Sequence, residues 1–340
     1  MFFFRNDYSE GAHPAVLEAL AKTNLESTPG YSRDAHCERA AGIIRARFSC
    51  PDADVHFLPG GTVTNMAAIA AFLRPWEAVI AASTGHIGVH ESGAIEGSGH
   101  KVCAISAPEG KLTPALIREV AQTHKSGDDG HMVEPRMVYL SDATELGTIY
   151  KKAELEAISQ TCRELGLYLY LDGARMAAAL VCPDNDAAPE DFSRLCDAFY
   201  IGGTKDGLLF GEALVIANPL LKPHFRNVMK QRGGMMAKGR LLGVQFEAFF
   251  ENELWLSMAE HAAQAAARLS AALADKGYPM LAPACTNQLF PILSDEKIAV
   301  LERDFSFELN ERIDEAHTAV RFVTSWATAD EAVDALIAAL

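Results

Sequence analysis

The chain is predicted to be an α/β protein with a mostly parallel central sheet and a smaller C-terminal α+β domain. Three observations predict it. Strand-like and helix-like segments alternate at βαβ spacing up to about residue 236. Several strand-like runs are apolar without interruption, as a sheet covered on both faces requires. Beyond that point a long helical stretch leads into shorter strands and helices.

The elements follow in order. "HPAVLEALAKTN" (13–24) and "RDAHCERAAGIIRARF" (33–48) read as helices joined by the turn "STPGY" (27–31). "DVHFLP" (54–59) reads as a strand, "GGT" as its turn and "VTNMAAIAAFL" as a helix. "EAVIAAS" (77–83) and "HKVCAIS" (100–106) read as strands. "TPALIREVAQTH" (113–124) is a helix with Thr113 as N-cap and Pro114 in its first position. "RMVYLSD" (136–142) is a strand, and "KKAELEAISQTCRELG" (151–166) is a helix stopped by Gly166. "LYLYLDG" (167–173), "DAFYIGG" and "EALVIAN" are further strands. Residues 239–274 read as one helical stretch, "TNQLFPIL" (286–293) and "TAVRFVTSW" (318–326) as strands, and "DEAVDALIAAL" as a closing helix. A large domain over 1–244 and a small one over 245–340 are expected, with segment 1–30 touching the small domain or a partner subunit. "HKSGDDGH" (124–131) is the expected mobile loop.

Composition excludes several classes. The net charge of -15 offers no basic stripe to phosphates, which argues against nucleic acid, and it disfavours anionic membranes. The first residues lack the pattern of a signal peptide, and no apolar run of ~18 residues occurs. The seven cysteines are scattered and include no C-x-x-C, so reduced thiols and a cytoplasmic location are expected.

Four turns carry chemistry. Lys205 lies in "GGTKDG", between two apolar runs. Burial would lower its pKa and suit it to a Schiff base with a carbonyl. A lysine at an ordinary hairpin tip is the alternative. Asp172 ends the strand of "YLYLDGARM", where ligands of parallel sheets bind. It could hold a protonated pyridine nitrogen, as in enzymes using pyridoxal 5'-phosphate, with Arg175 pinning a carboxylate. A simple Asp172–Arg175 ion pair is the alternative. In "FLPGGTVTN", Gly61 and Thr62 open a helix and could take a phosphate, although many βα turns look similar. His86 in "GHIGVHESGA" follows a strand and could stack on an aromatic cofactor or act as a base. His86, His90 and Glu91 could instead ligate a metal. "HESG" departs from H-E-x-x-H and no third cluster accompanies it, so no metal is expected, and His90 reads as a cap or surface residue.

In order, "RNDYSEGAHPAVLEAL", "FLPGGTVTN", "GHIGVHESGA", "LYLDGARM", "GGTKDG", "TNQLFPI" and "VRFVTSWAT" make the chain resemble the threonine aldolase / β-eliminating lyase family. The resemblance spans nearly the whole length. It implies fold type I of the pyridoxal-phosphate enzymes, with an aspartate-aminotransferase-like fold. It implies Lys205 as the Schiff-base lysine with Thr204 beside it, Asp172 on the pyridine nitrogen, and His86 over the ring. Gly61 and Thr62 would hold phosphate. Arg175 and Arg321 would bind the substrate carboxylate, with Asn6 nearby. The active site would lie between subunits of a homodimer or homotetramer, with Tyr31 entering the partner's site. The implied activity is low-specificity cleavage of L-threonine to glycine and an aldehyde; the alternative is β-elimination or an aminotransferase-like reaction on amino acids. Three positions depart from the family pattern. Thr144 stands where a histidine touches the substrate hydroxyl, Asn6 replaces a serine, and Met236 replaces an arginine that reaches the neighbouring phosphate. Arg232, Lys238 or Arg240 could substitute for that arginine.

Overall fold

The computed structural model describes residues 1–125 and 130–340. Residues 126–129, at the centre of the expected mobile loop, lie outside the described residues. The strands are β1 Phe2–Phe3, β2 Asp54–Leu58, β3 Glu77–Ala82, β4 Val102–Ile105, β5 Glu134–Ser141, β6 Tyr168–Gly173 and β7 Ala198–Gly202. They continue with β8 Glu212–Ile216, β9 Gln288–Leu289, β10 Ile292–Ser294, β11 Phe305–Ser306, β12 Glu308–Arg312 and β13 His317–Val323.

Seven strands form the central sheet in the order β2-β8-β7-β6-β5-β3-β4. The pairs from β7 through β4 are parallel, as the apolar runs predict. Only β8 runs against its two neighbours. Residues 203–211, which join β7 to β8, are too few for a parallel crossover, which takes a dozen or more. The chain therefore folds straight back, and Lys205 sits in that return at the C-terminal end of β7.

Alternate residues feed two apolar layers, because strand side chains alternate faces. Val138, Leu140, Leu169, Leu171, Phe199 and Ile201 pack under helices Ala35–Arg47, Lys152–Leu165 and Arg240–Phe250. Tyr139, Tyr170, Tyr200 and Leu214 face the other way, onto helix Gly61–Phe72.

The C-terminal part builds its own core. Leu289, Leu293, Val320 and Phe322 pack against Leu269, Leu273, Val333 and Leu336. β10, β13 and β12 form an antiparallel sheet there, and β9 adds to β13. The N-terminal segment reaches this part: Phe2 and Phe3 pair with Phe305 and Ser306, and Phe4 is fully buried in its core.

The expected single helix over 239–274 is two helices, Arg240–Phe250 and Leu254–Asp275. Asn252 and Glu253 turn left-handed at φ 53 and 59. The turn brings Trp255 to 5.1 Å from the Phe250 ring and 6.2 Å from the Phe249 ring. That aromatic packing inside the sheet core offsets the broken backbone ladder. The second helix gives Trp255 and Met258 to the sheet core and Leu269 and Leu273 to the C-terminal core.

Candidate active site

Near the C-terminal ends of β5, β6 and β7, Ser141, Asp172 and Tyr200 lie side by side, and β7 runs on to Gly202. The turns that leave them pack tightly. A Cβ at Gly173 would collide with the Tyr200 carbonyl, and one at Gly202 with the Ala174 carbonyl. Glycine at both positions lets the two turns close on each other.

Asp172 is buried and held from three sides. Its Oδ2 accepts from the Tyr139 hydroxyl at 2.6 Å and from Asn65 Nδ2 at 3.0 Å, and its Oδ1 accepts from the Ala174 amide at 3.0 Å. Asn65 is fully buried on the inner face of helix Gly61–Phe72, and its Oδ1 accepts from the Tyr170 hydroxyl. The carboxylate is therefore oriented by neutral donors, and the simple Asp172–Arg175 ion pair does not occur.

Arg175 pairs with Asp7 instead. Its Nε and Nη2 donate to the two Asp7 oxygens at 2.6 and 3.0 Å, both residues are buried, and Asn287 also donates to Asp7. Burial opposes ionisation of Asp7, but Arg175, Lys205 and Asn287 together hold its carboxyl below the usual range. The sequence reading placed Asn6 at the substrate. In the fold Asn6 caps its own turn, accepting from the Tyr8 amide and the Ser9 hydroxyl, and its neighbour Asp7 reaches Arg175.

Among the described residues the Lys205 ammonium has no hydrogen-bond partner. Burial and then the Arg175 guanidinium push its pKa down, against the pull of Asp7, Asp172 and Glu212. The hydroxyl of Thr204, expected at the cofactor, is engaged within the turn: it donates to Glu212 at 2.8 Å and accepts from the Gly211 amide at 2.9 Å. Glu212 also takes the Gly203 amide, and burial pushes its carboxyl up to about 7. Glu212 thus clamps the segment that presents Lys205.

His86 opens a short helical turn beyond β3. Its Nδ1 lies 2.8 Å from Glu91 Oε1, and the Glu91 side chain is buried. A carboxylate at Nδ1 keeps the proton there and leaves Nε2 as the acceptor. The His86 backbone amide donates to Glu145, a half-buried carboxyl that the Ser141 hydroxyl also holds. His90, read from sequence as a cap or surface residue, places its ring 5.6 Å from that of His86. Its imidazole pKa is lowered by burial, His86 and Arg321.

Gly61 and Thr62 open helix Gly61–Phe72 with no side-chain cap. The Gly61 and Thr62 amides have no acceptor among the described residues, and Thr62 is exposed. Arg321 pairs with Glu308 and keeps a buried Nε without a partner. Arg175 lies close enough to lower the Arg321 pKa, after burial. An uncapped helix start, an unpaired depressed lysine, an oriented carboxylate and an incompletely paired arginine fit pyridoxal phosphate carrying an amino acid.

Three expected residues lie elsewhere or do other work. Thr144 is buried, with its hydroxyl 2.7 Å from that of Thr148. Tyr31 is on the surface with Lys230 Nζ 4.7 Å from its ring centre. Met236 packs against the sheet core. Of its candidate substitutes, Arg232 donates to the Ser98 carbonyl and Arg240 to the Thr23 and Asn24 carbonyls, whereas Lys238 is exposed. Sequence reasoning missed Asp7, Asn65, Tyr139, Glu145 and Glu212 as site residues. Only Asn65 carried a local signal, a side-chain amide at the start of the apolar run that ends helix Gly61–Phe72.

Fold and site together define an enzyme of the aminotransferase-like fold type I. A threonine aldolase structure from Leishmania major matches with a TM-score of 0.97 and 47% identity, covering 99% of this chain and 98% of that one. The low specificity L-threonine aldolase of Pseudomonas aeruginosa is 35% identical over 333 residues, 97% of this chain and 94% of its own. A Thermus thermophilus aspartate aminotransferase shares the fold, with a TM-score of 0.73 at 14% identity over 100% of this chain and 92% of that one. The family model for beta-eliminating lyases matches residues 4–296. The chain belongs to the beta-eliminating lyase family, as its motifs led us to expect, and is a lyase acting on amino acids.

His86→Ala is expected to lower kcat about 10²-fold with little change in thermal stability, the scale of a lost general base. Stopped-flow and steady-state assays check it; an unchanged kcat would place the base elsewhere.

Proposed function

We propose that the chain is a low-specificity L-threonine aldolase dependent on pyridoxal 5'-phosphate. It cleaves the Cα–Cβ bond of L-threonine and related β-hydroxy-α-amino acids to glycine and an aldehyde. The observation that carries this reading is the half-buried Lys205, without a hydrogen-bond partner among the described residues, beside the oriented carboxylate of Asp172, at the ends of adjacent parallel strands. When bound, the cofactor supplies the electron-accepting ring that takes up the electron pair of the broken bond.

The protein's part follows from the geometry. Lys205 holds the cofactor aldehyde carbon, and its depressed pKa keeps more of its amine neutral for that bond. Asp172 holds the ring nitrogen in its protonated form. The first-turn amides at Gly61 and Thr62 hold the phosphate. Arg321, with Arg175 fixed by Asp7 behind it, orients the substrate carboxylate. His86 Nε2 accepts the β-hydroxyl proton, directly or through a water, while Glu91 stabilises the imidazolium that results.

β-Elimination is the second reading, and Thr144 favours it. Its hydroxyl is closed off against Thr148 and cannot replace a histidine at the substrate hydroxyl. Incubating cofactor-loaded protein with L-threonine, and separately with L-serine and L-cysteine, separates the two. Acetaldehyde with stoichiometric glycine is expected. Pyruvate from serine or cysteine without acetaldehyde would move the assignment to β-elimination.

In this reading the enzyme is a homodimer or homotetramer of the cytoplasm, with Tyr31 and Lys238 turned toward the neighbouring subunit. Among the described residues no helix is long and apolar enough to cross a membrane.

A further inference from the structure

Glu145 follows β5, and two donors converge on one of its oxygens. The Ser141 hydroxyl lies 2.6 Å and the His86 backbone amide 2.8 Å from Glu145 Oε1. Tyr139 and Ser141 are two residues apart on β5 and so share a face. The Ser141 hydroxyl is also 3.2 Å from that of Tyr139, which donates to Asp172 Oδ2 at 2.6 Å. Two hydroxyls therefore connect the Glu145 carboxyl to the Asp172 carboxyl.

We propose that Glu145 is a positioning residue: it holds the proton that these two carboxyls share, and through Ser141 and Tyr139 it keeps Asp172 a carboxylate aimed at the ring nitrogen. The proposal rests on the cofactor reading of the site, in which Asp172 takes that nitrogen.

Two carboxyls linked in this way do not ionise independently, and the proton goes to the one whose charge is less well held. Asp172 is the more deeply buried, which by itself favours its neutral form. Its three donors, Tyr139, Asn65 and the Ala174 amide, outweigh that burial. Glu145 has only the two on Oε1.

The hydroxyl protons point the same way. Tyr139 has one, and it goes to Asp172. Ser141 has one proton and two acceptors, Glu145 and Tyr139. With Glu145 ionised, Ser141 donates to Glu145 and leaves the Tyr139 oxygen without it. With Glu145 protonated, Glu145 donates to Ser141, Ser141 to Tyr139 and Tyr139 to Asp172. Every donor then points toward Asp172, and each bond strengthens the next.

The surroundings of Glu145 agree. Burial raises its pKa, the Ser141 hydrogen bond opposes that rise, and the Asp172 charge adds to it, with a net increase. The other titratable groups that face it are Tyr139 on β5, His86 beyond β3, Tyr150 before helix Lys152–Leu165 and Arg175 after β6. Arg175 is already taken by Asp7.

The test follows the Glu145 carboxyl by infrared spectroscopy of the full-length, cofactor-loaded protein. The difference between wild type and Glu145→Gln isolates its protonated C=O band, which is then titrated. A midpoint above about 4.3, the ordinary glutamate value, is expected. In Tyr139→Phe, measured against Tyr139→Phe with Glu145→Gln, Asp172 has lost a donor and competes better for the proton. The midpoint should then fall by about one pH unit. For turnover, Glu145→Ala should lower kcat about tenfold at unchanged KM. Glu145→Gln, whose amide still accepts from His86 and donates to Ser141, should recover most of that loss. A midpoint at or below about 4.3, or one that stays in place in Tyr139→Phe, would overturn the proposal. So would Glu145→Gln proving as damaging as Glu145→Ala. If the band titrates as expected while L-threonine is not cleaved, the aldolase reading fails and the proton placement stands. An active aldolase with an ordinary Glu145 titration is the reverse.

Discussion

Lys205→Ala is expected to abolish the visible absorption of the pyridoxal-phosphate-loaded protein and to lower turnover of L-threonine by ~10³-fold or more. The lysine lies just past the end of β7, next to the strand that carries Asp172, in a return too short to be a crossover. Its ammonium has no acceptor among the described residues, and burial already works against its charge. The folded protein therefore loses no ion pair when Lys205 is truncated. Thermal unfolding of the variant should come close to the wild-type temperature, because the half-buried side chain gives up no hydrogen bond. Lost activity with preserved stability is the expected pattern. A persisting visible band in the variant would remove Lys205 as the cofactor lysine.

Asp7→Ala has the opposite pattern. It leaves the Arg175 guanidinium buried without its bidentate partner. Breaking a buried pair in this way costs about 3–5 kcal/mol of stability. Urea denaturation with unchanged slope and a lower midpoint is the expected result. The KM for L-threonine should rise as well, since Arg175 loses the group that orients it. The pH dependence follows from the sign of the shift. The folded-state pKa of Asp7 is lowered from 3.8, so its contribution is fully present above 3.8 and is lost as pH falls through the lower folded value. The acid limb of the stability curve should therefore flatten in Asp7→Asn. A wild-type acid limb in that variant would show that Asp7 does not titrate with folding.

Lys205, Asp172, His86 and the Gly61–Thr62 turn were legible because each sits in a short pattern with its own physical logic. A strand end followed by glycines marks the crevice of a parallel sheet, and turn chemistry acts over a few residues. Asp7 carried no such mark. It lies 168 residues from Arg175, and nothing local distinguishes it from Asn6. The same holds for Glu212, whose clamp on Gly203 and Thr204 depends on β8 running back against β7. The break at Glu251–Glu253 was hidden for a related reason. Helical periodicity continues through it, and only the packing of Trp255 on Phe250 requires the turn.

By itself, then, the sequence determined the alternating α/β order, the buried parallel strands and the identity of the residues at their ends. Those features rest on side-chain periodicity and turn propensity, which act along the chain. The tertiary structure decided how these residues are held: Asp172 by Tyr139 and Asn65, Arg175 by Asp7, His86 by Glu91. Polar groups taken out of water must find partners, and which partners they find is set only when distant segments close over the sheet.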